Sequence, residues 1–150
     1  MKMMVAALIL ASFPALAATG NTAYPNGKVA EFVVEKLEVK SLPAAIQPKA
    51  EKGKKTLSDY GYVAEKIDDR EAVLKAPQGA SEIALNVLEE SPAGIYVCVS
   101  GKASDRNSEQ IQRVYLLRAK NSDGLLHGRE ASKEFAGCPV VGGQAESGGD

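Results

Sequence analysis

Short apolar runs alternate with turn signals along most of this chain, and this rhythm limits the fold more than any other feature. Clusters of turn-forming residues, such as those at 68–70 and 121–124, recur about every ten residues. Between them, apolar side chains tend to fall on every second residue, as Ile83, Leu85 and Val87 do. This spacing is typical of strands that bury one face. It predicts a mostly β fold, either an antiparallel β-sandwich or a small barrel of about six to seven strands.

Three segments depart from this simple alternation. The run GIYVCVSG at 94–101 is apolar on both faces, which indicates a central strand that is covered on both sides. Residues 28–42 carry apolar side chains at both helical and strand spacing. We interpret 31–42 as a strand, because EKLEVKS alternates cleanly, and leave a helical first turn open. A short helix near 130–135 is also left open.

The first twenty residues, MKMMVAALILASFPALAATG, have the three parts of a secretory signal. Lys2 supplies the positive charge, an apolar run follows, and Pro14 ends it. Ala15 and Ala17 are the small residues that signal peptidase requires, so we predict a signal peptide at 1–17 with cleavage after Ala17. The apolar run is shorter than the roughly 20 residues of a membrane-spanning helix. We therefore expect no integral membrane segment after cleavage and a periplasmic or secreted protein.

What remains after cleavage has the length of one ordinary domain. We assign 28–141 to a single β-rich globular domain, between a flexible segment at 18–27 and a glycine-rich, disordered tail at 142–150. The signal segment contains one of the 18 basic side chains and none of the 19 acidic ones, so the exported chain carries a net charge of −2. A nucleic-acid-binding protein would show a basic excess. We therefore expect no nucleic-acid partner.

The chain has two cysteines, Cys98 in the apolar run 94–101 and Cys138 near the far end. In an exported protein two cysteines usually form one disulfide, so we predict a bond between them. The loop that this bond closes would stabilise the fold by about 4 kcal/mol in the chain-entropy model. A catalytic thiol would need a base beside it, and the only histidine, His127, has no recognisable partner in the sequence. Two cysteines and one histidine are also too few for a zinc site.

The densest positive cluster lies in the segment KAEKGKKT and includes Lys52, Lys54 and Lys55. Tyr60 and Tyr62 follow two residues apart, so on a strand they would share a face. Lysines that steer a partner and tyrosines that anchor it are typical of a protein-recognition surface. These five residues are our candidate binding site. The plainer alternatives are a solvated loop and a half-buried strand face.

Other chemistry-bearing groups are weaker candidates. Two acidic pairs lie at turns, at 68–69 and 89–90. Acid–base catalysis needs two carboxylates at a defined distance across a cleft, and the sequence does not give that distance. The string DRNSE at 105–109 lacks the glycine and the glutamate that a calcium loop needs at its sixth and twelfth positions. His127 follows a hairpin turn without a recognisable nucleophile. We therefore predict no catalytic residue, no metal site and no cofactor.

Together these features favour an exported, small, non-catalytic binding protein of the inhibitor, immunity or accessory type. Its partner would be another protein in the cell envelope or outside the cell, bound through the candidate binding site. Two alternatives stay open, namely a small secreted hydrolase that uses carboxylates or His127 and a structural protein of the cell envelope. A cleft that holds His127 among converging polar groups would favour the hydrolase.

Overall fold

The computed structural model describes residues 27–79, 81–102, 110–119 and 122–141. The predicted signal peptide with its cleavage site after Ala17, the segment before Gly27 and the tail at 142–150 all lie outside these residues. Within the described residues the chain forms one α-helix and six β-strands. These elements are α1 (Val29–Lys36), β1 (Val63–Ile67), β2 (Glu71–Lys75), β3 (Glu82–Ser91), β4 (Gly94–Lys102), β5 (Gln110–Ala119) and β6 (Leu126–Glu130).

The six strands form one antiparallel sheet whose order in space equals the order along the chain. Where the structure describes the connections, turn residues that the sequence marks lie between neighbouring strands. Gly124, for example, has a φ of +74° before β6, which glycine adopts at little cost. The predicted mostly β, antiparallel fold is confirmed. The sheet is not closed into a barrel, because β1 and β6 lie at its two opposite edges.

The first face of the sheet is covered by α1 and by the chain that follows it, rather than by a second sheet. Val29, Ala30 and Val33 on one side of α1 are buried, and the helix contacts β2 and β3. Apolar side chains beyond the helix complete this layer, namely Leu37, Val39, Leu42, Ile46 and Leu57. They pack with the inward residues of the strands, which include Leu74, Ile83, Leu85, Ile95, Val97 and Leu117. The main core therefore lies on this face.

The prediction of a strand over 31–42 is wrong, because α1 forms over its first half and a short 3₁₀ turn forms at Val39–Ser41. A helix places Val29, Val33 and Leu37 on one side, at a spacing of four residues, and so buries them all against the open sheet face. This burial overrides the preference of valine for strands. After the helix, Leu37 and Glu38 form only isolated bridges. Val39 is buried and Lys40 is exposed, but both lie in the 3₁₀ turn and not in a strand.

On the second face of the sheet, Cys98 and Cys138 form the predicted disulfide, with their Cα atoms 5.7 Å apart. The bond holds the C-terminal strap, residues 131–141, against the sheet. Phe135 in the strap packs on Tyr96 of β4, with 5.4 Å between ring centroids. Strand β4 is therefore buried on both faces, as its sequence predicts.

No helix forms within 131–135, where the sequence left one open. The Ala131 amide donates to the Val114 carbonyl at 2.8 Å and so extends the ladder between β6 and β5. Further on, Val141 pairs with Gln112 of β5. An extended chain covers about 3.3 Å per residue against 1.5 Å in a helix. The extended form therefore lets a short strap cross the sheet, reach its disulfide partner and return to β5.

Candidate functional site

The outer edge of β6 is covered by the residues that follow α1. Leu37 pairs in parallel with Leu126, and the Glu38 amide donates to the Leu126 carbonyl at 3.0 Å. Further along, the Gly128 amide donates to Ser41 Oγ at 2.8 Å. These bonds position Glu38 at the outer edge of the sheet. The sequence did not predict this position.

The lysine loop, residues 49–60, is bonded to this same segment. Glu38 pairs with Thr56 in an isolated antiparallel bridge, and the Val39 amide donates to the Lys55 carbonyl at 2.8 Å. The lysine loop therefore lies beyond β6, next to the covered edge of the sheet.

Contacts around Tyr60 fix one end of the lysine loop to the other. The Tyr60 hydroxyl accepts a hydrogen bond from the Glu51 amide at 3.0 Å. Lys54 Nζ lies 5.2 Å from the centroid of the Tyr60 ring and 2.8 Å from a carboxylate oxygen of Glu51. A cation over an aromatic face and an exposed ion pair each contribute modestly. Together with the hydrogen bond they hold the loop in one shape.

Asp59 closes the turn at the end of the lysine loop. Its Oδ2 accepts hydrogen bonds from the amides of Thr56 and Lys55, each at 2.9 Å. Because these bonds favour the ionised form, they hold the pKa of the Asp59 carboxyl below its usual value. A loop that is ordered in this way before binding loses little conformational entropy when it meets a partner.

Three of the sequence-predicted residues lie together in the lysine loop. Lys52, Lys54 and Lys55 line a groove of about 360 Å³, together with Lys40 and the acidic residues Glu38 and Glu51. Lys52 and Lys55 are exposed, and neither forms an ion pair within the described part of the chain. Their charges are therefore available to an incoming anion.

The two tyrosines do not share a strand face, so that expectation is wrong. β1 begins only at Val63, and Gly61 between the tyrosines turns the chain with a φ of +77°. Tyr60 stays within the lysine loop. The hydroxyl of Tyr62 lies 3.0 Å from Ser81 Oγ, and Tyr62 does not line the groove.

A second cavity, of about 340 Å³, lies over the β5–β6 hairpin and holds His127. The Nδ1 atom of His127 is 2.7 Å from Oε2 of Glu38. This contact joins the second cavity to the lysine groove, because Glu38 also lines that groove. The Nε2 atom of His127 is buried and has no hydrogen-bond partner among the described residues. A buried polar atom without a protein partner is rare in native proteins, where such an atom contacts ordered water or an ion or has a functional role.

Two arginines, Arg118 and Arg129, line the His127 cavity. Both are exposed, and in the described ranges neither forms an ion pair. Sequence reasoning missed them, although the turn at 121–124 fixes a hairpin register that places Arg118 opposite His127. With three lysines of the adjoining groove they form what we name the basic rim. Its members are Lys40, Lys52, Lys55, Arg118 and Arg129.

The other candidates are engaged elsewhere. Three carboxylates of the acidic pairs form salt bridges with N···O distances of 3.4 Å or less. These salt bridges are Asp68–Lys66, Glu89–Lys133 and Glu90–Arg70. Backbone hydrogen bonds from Glu71 and Arg70 lower the pKa of Asp68, whereas a general acid needs a raised one. The string at 105–109 lies outside the described residues.

Neither a metal-binding cluster nor a helix able to span a membrane occurs in the described ranges. Their histidine, cysteine and acidic side chains form no group of three or more that could hold a metal ion. The same ranges contain no helix long and apolar enough to cross a membrane. Comparisons with protein-family models, with curated proteins and with solved structures find no match for this chain. Its function is therefore inferred from the geometry of its own residues.

Proposed function

We propose that this chain is an exported, non-catalytic binding protein that contacts an acidic face of another protein through the basic rim and the lysine loop. The disulfide between Cys98 and Cys138 supports a location outside the cytosol, because such bonds form and persist in oxidising compartments. The predicted signal peptide at 1–17 is consistent with that location.

One observation carries the proposal, namely that unpaired cations are concentrated on one edge of a slightly acidic protein. The whole chain has a formal net charge of −1, yet the five cations of the basic rim line two adjoining cavities. Elsewhere many exposed lysines are paired, as Lys66 is with Glu71 and Lys75 with Glu65. A local excess of one sign of charge steers a partner of the opposite sign and orients it.

The structure of the lysine loop supports the same function. Tyr60 and Asp59 hold the loop in one conformation, so Lys52 and Lys55 are presented without a large entropic cost. Tyr60 is half-buried, and Lys54 of the groove lies over its ring, so part of an aromatic ring adjoins the charged surface. Aromatic residues are enriched at protein–protein interfaces. We leave Tyr62 out of the proposed surface, because its hydroxyl contacts Ser81.

The test is retention of a partner by charge variants of the exported, oxidised protein. We expect Lys52→Glu with Lys55→Glu to weaken retention of a specific envelope or extracellular protein by about tenfold or more, with a reduced dependence on salt. The matched control carries the same charge change at Lys36 and Lys102, which line neither cavity. A partner retained equally by both variants would show that the basic rim is not the contact surface.

A second candidate, a hydrolase, is favoured by the contact between Glu38 and His127. A carboxylate that orients an imidazole is half of a common catalytic arrangement. However, no hydroxyl or thiol in the described residues lies within hydrogen-bond distance of His127 Nε2, and both cysteines are in the disulfide. We therefore rank binding first. If the protein has a hydrolytic activity that His127→Asn abolishes without unfolding the chain, the hydrolase becomes the first candidate.

A further inference from the structure

We propose that the His127 cavity binds a carboxylate group of the acidic partner, with the guanidinium groups of Arg118 and Arg129 as its ligands. This inference rests on the proposed function and assigns a specific subsite within it. Strand register brings the arginines together, because Arg118 pairs with His127 and Arg129 with Leu116. The two arginines are thus diagonal neighbours on one face of the sheet, about 7–8 Å apart at their backbones.

Within the described residues, no carboxylate forms an ion pair with Arg118 or Arg129. Glu38 contacts the cavity residue His127 at Nδ1 and not the arginines. Glu130, on the neighbouring position of β6, lies 3.3 Å from Arg113 on the other face. Two neighbouring like charges without a counter-ion repel each other. An incoming anion would relieve this repulsion, so its binding is favoured.

The lining of the cavity suits a carboxylate. Besides the arginines and His127, its lining includes Leu116, which is 5% exposed, together with Ala119 and Gly128. Apolar surface beside a charged group lowers the local dielectric constant and so strengthens its hydrogen bonds. A guanidinium presents its N–H donors in a planar fork that matches the two oxygens of a carboxylate. Side chains of aspartate and glutamate, or a chain terminus, would supply this group from a protein partner.

The test is a titration of the full exported protein with capped hexaglutamate. The NMR signals of the arginine Nε–H groups report the binding. We expect hexaglutamate to shift the signals of Arg118 and Arg129 and to saturate them at low salt. Arg118→Ala with Arg129→Ala should weaken this binding by about tenfold or more, because charge-assisted hydrogen bonds are lost. The control, Lys36→Ala with Lys102→Ala, removes the same charge outside both cavities and should bind as the wild type does.

Three results would overturn the subsite. They are unshifted arginine signals, equal binding by the arginine variant and its control, and saturation by inorganic phosphate at lower concentration than by hexaglutamate. The two proposals fail separately. A partner that is lost by Lys52→Glu with Lys55→Glu but retained by the arginine variant would exclude the subsite and leave the proposed function standing. If hexaglutamate binds but no protein partner is retained in a way that depends on Lys52 and Lys55, the proposed function is excluded instead.

Discussion

Oε2 of Glu38 lies 2.7 Å from Nδ1 of His127, which joins the first segment after α1 to the last strand of the sheet. The carboxylate accepts a hydrogen bond, so it holds the imidazole with a proton on Nδ1. The two side chains are only 19% and 23% exposed, and the contact is therefore partly shielded from water. It fixes the ring at the point where the lysine groove and the His127 cavity meet.

Removal of the ring should destabilise the fold. We expect His127→Ala to lower the free energy of unfolding by about 1–2 kcal/mol, because Glu38 loses its hydrogen-bond donor. His127→Asn should retain most of this stability, since its amide can donate from nearly the same position as Nδ1. Urea denaturation of both variants measures the difference. Equal losses in the two variants would show that packing, and not the hydrogen bond, holds this edge together.

Loss of the disulfide should be more costly. Cys98 and Cys138 are 40 residues apart, so replacing both by alanine should lower the free energy of unfolding by about 4 kcal/mol in the chain-entropy model. We also expect the backbone amides of the strap at 131–141 to exchange faster with solvent. Denaturation and hydrogen exchange with and without reductant measure both effects. An unchanged midpoint in reductant would contradict the prediction.

The lysine loop should respond to acid through Asp59. Backbone hydrogen bonds from Thr56 and Lys55 lower its pKa below the usual 3.8, so the folded value lies below the unfolded one. The ionised carboxyl therefore contributes stability above the unfolded pKa, and this contribution is lost as the pH falls through the folded pKa. Carboxyl NMR should show Asp59 titrating below its usual value, with faster amide exchange at Thr56 and Lys55 after protonation.

Asp59→Asn should make the loop insensitive to pH in this range and loosen it at neutral pH. Asp69→Asn, which makes the same charge change outside the loop, is the control. A titration of Asp59 at its usual value, with unchanged loop amides in the variant, would show that its hydrogen bonds do not order the loop.

Gly128 allows the segment after α1 to lie close to β6. A Cβ atom at this position would meet Leu117 Cδ2 at 2.7 Å and Ser41 Cβ at 3.2 Å. We expect Gly128→Ala to lower the free energy of unfolding by about 1–3 kcal/mol through overpacking, and to change the ring NMR signals of His127. Gly137→Ala is the control, because its nearest neighbour, Leu88 Cδ2, lies at 3.8 Å. Equal stability of the two variants would contradict the proposed close packing.

Period-two spacing in the sequence was sufficient to predict several strands, because each strand buries every second side chain. Ile83, Leu85 and Val87 are buried as their alternation predicts, and both faces of β4 are covered. The disulfide between Cys98 and Cys138 followed from the redox environment expected of an exported chain. The assignment of 28–141 to one domain stays a prediction.

Tertiary structure decided what local pattern could not. Residues from Val29 to Lys36 form a helix because that conformation buries their apolar side against the sheet. Their apolar side chains fit both helical and strand spacing, so the segment alone could not decide between the two. Glu38 meets His127 because the chain after α1 pairs with the outer edge of β6. Spacing along a sequence reports contacts over a few residues. Contacts between distant segments depend on which sheet edges and faces remain open, so the cavity with Arg118 and Arg129 emerged only from the fold.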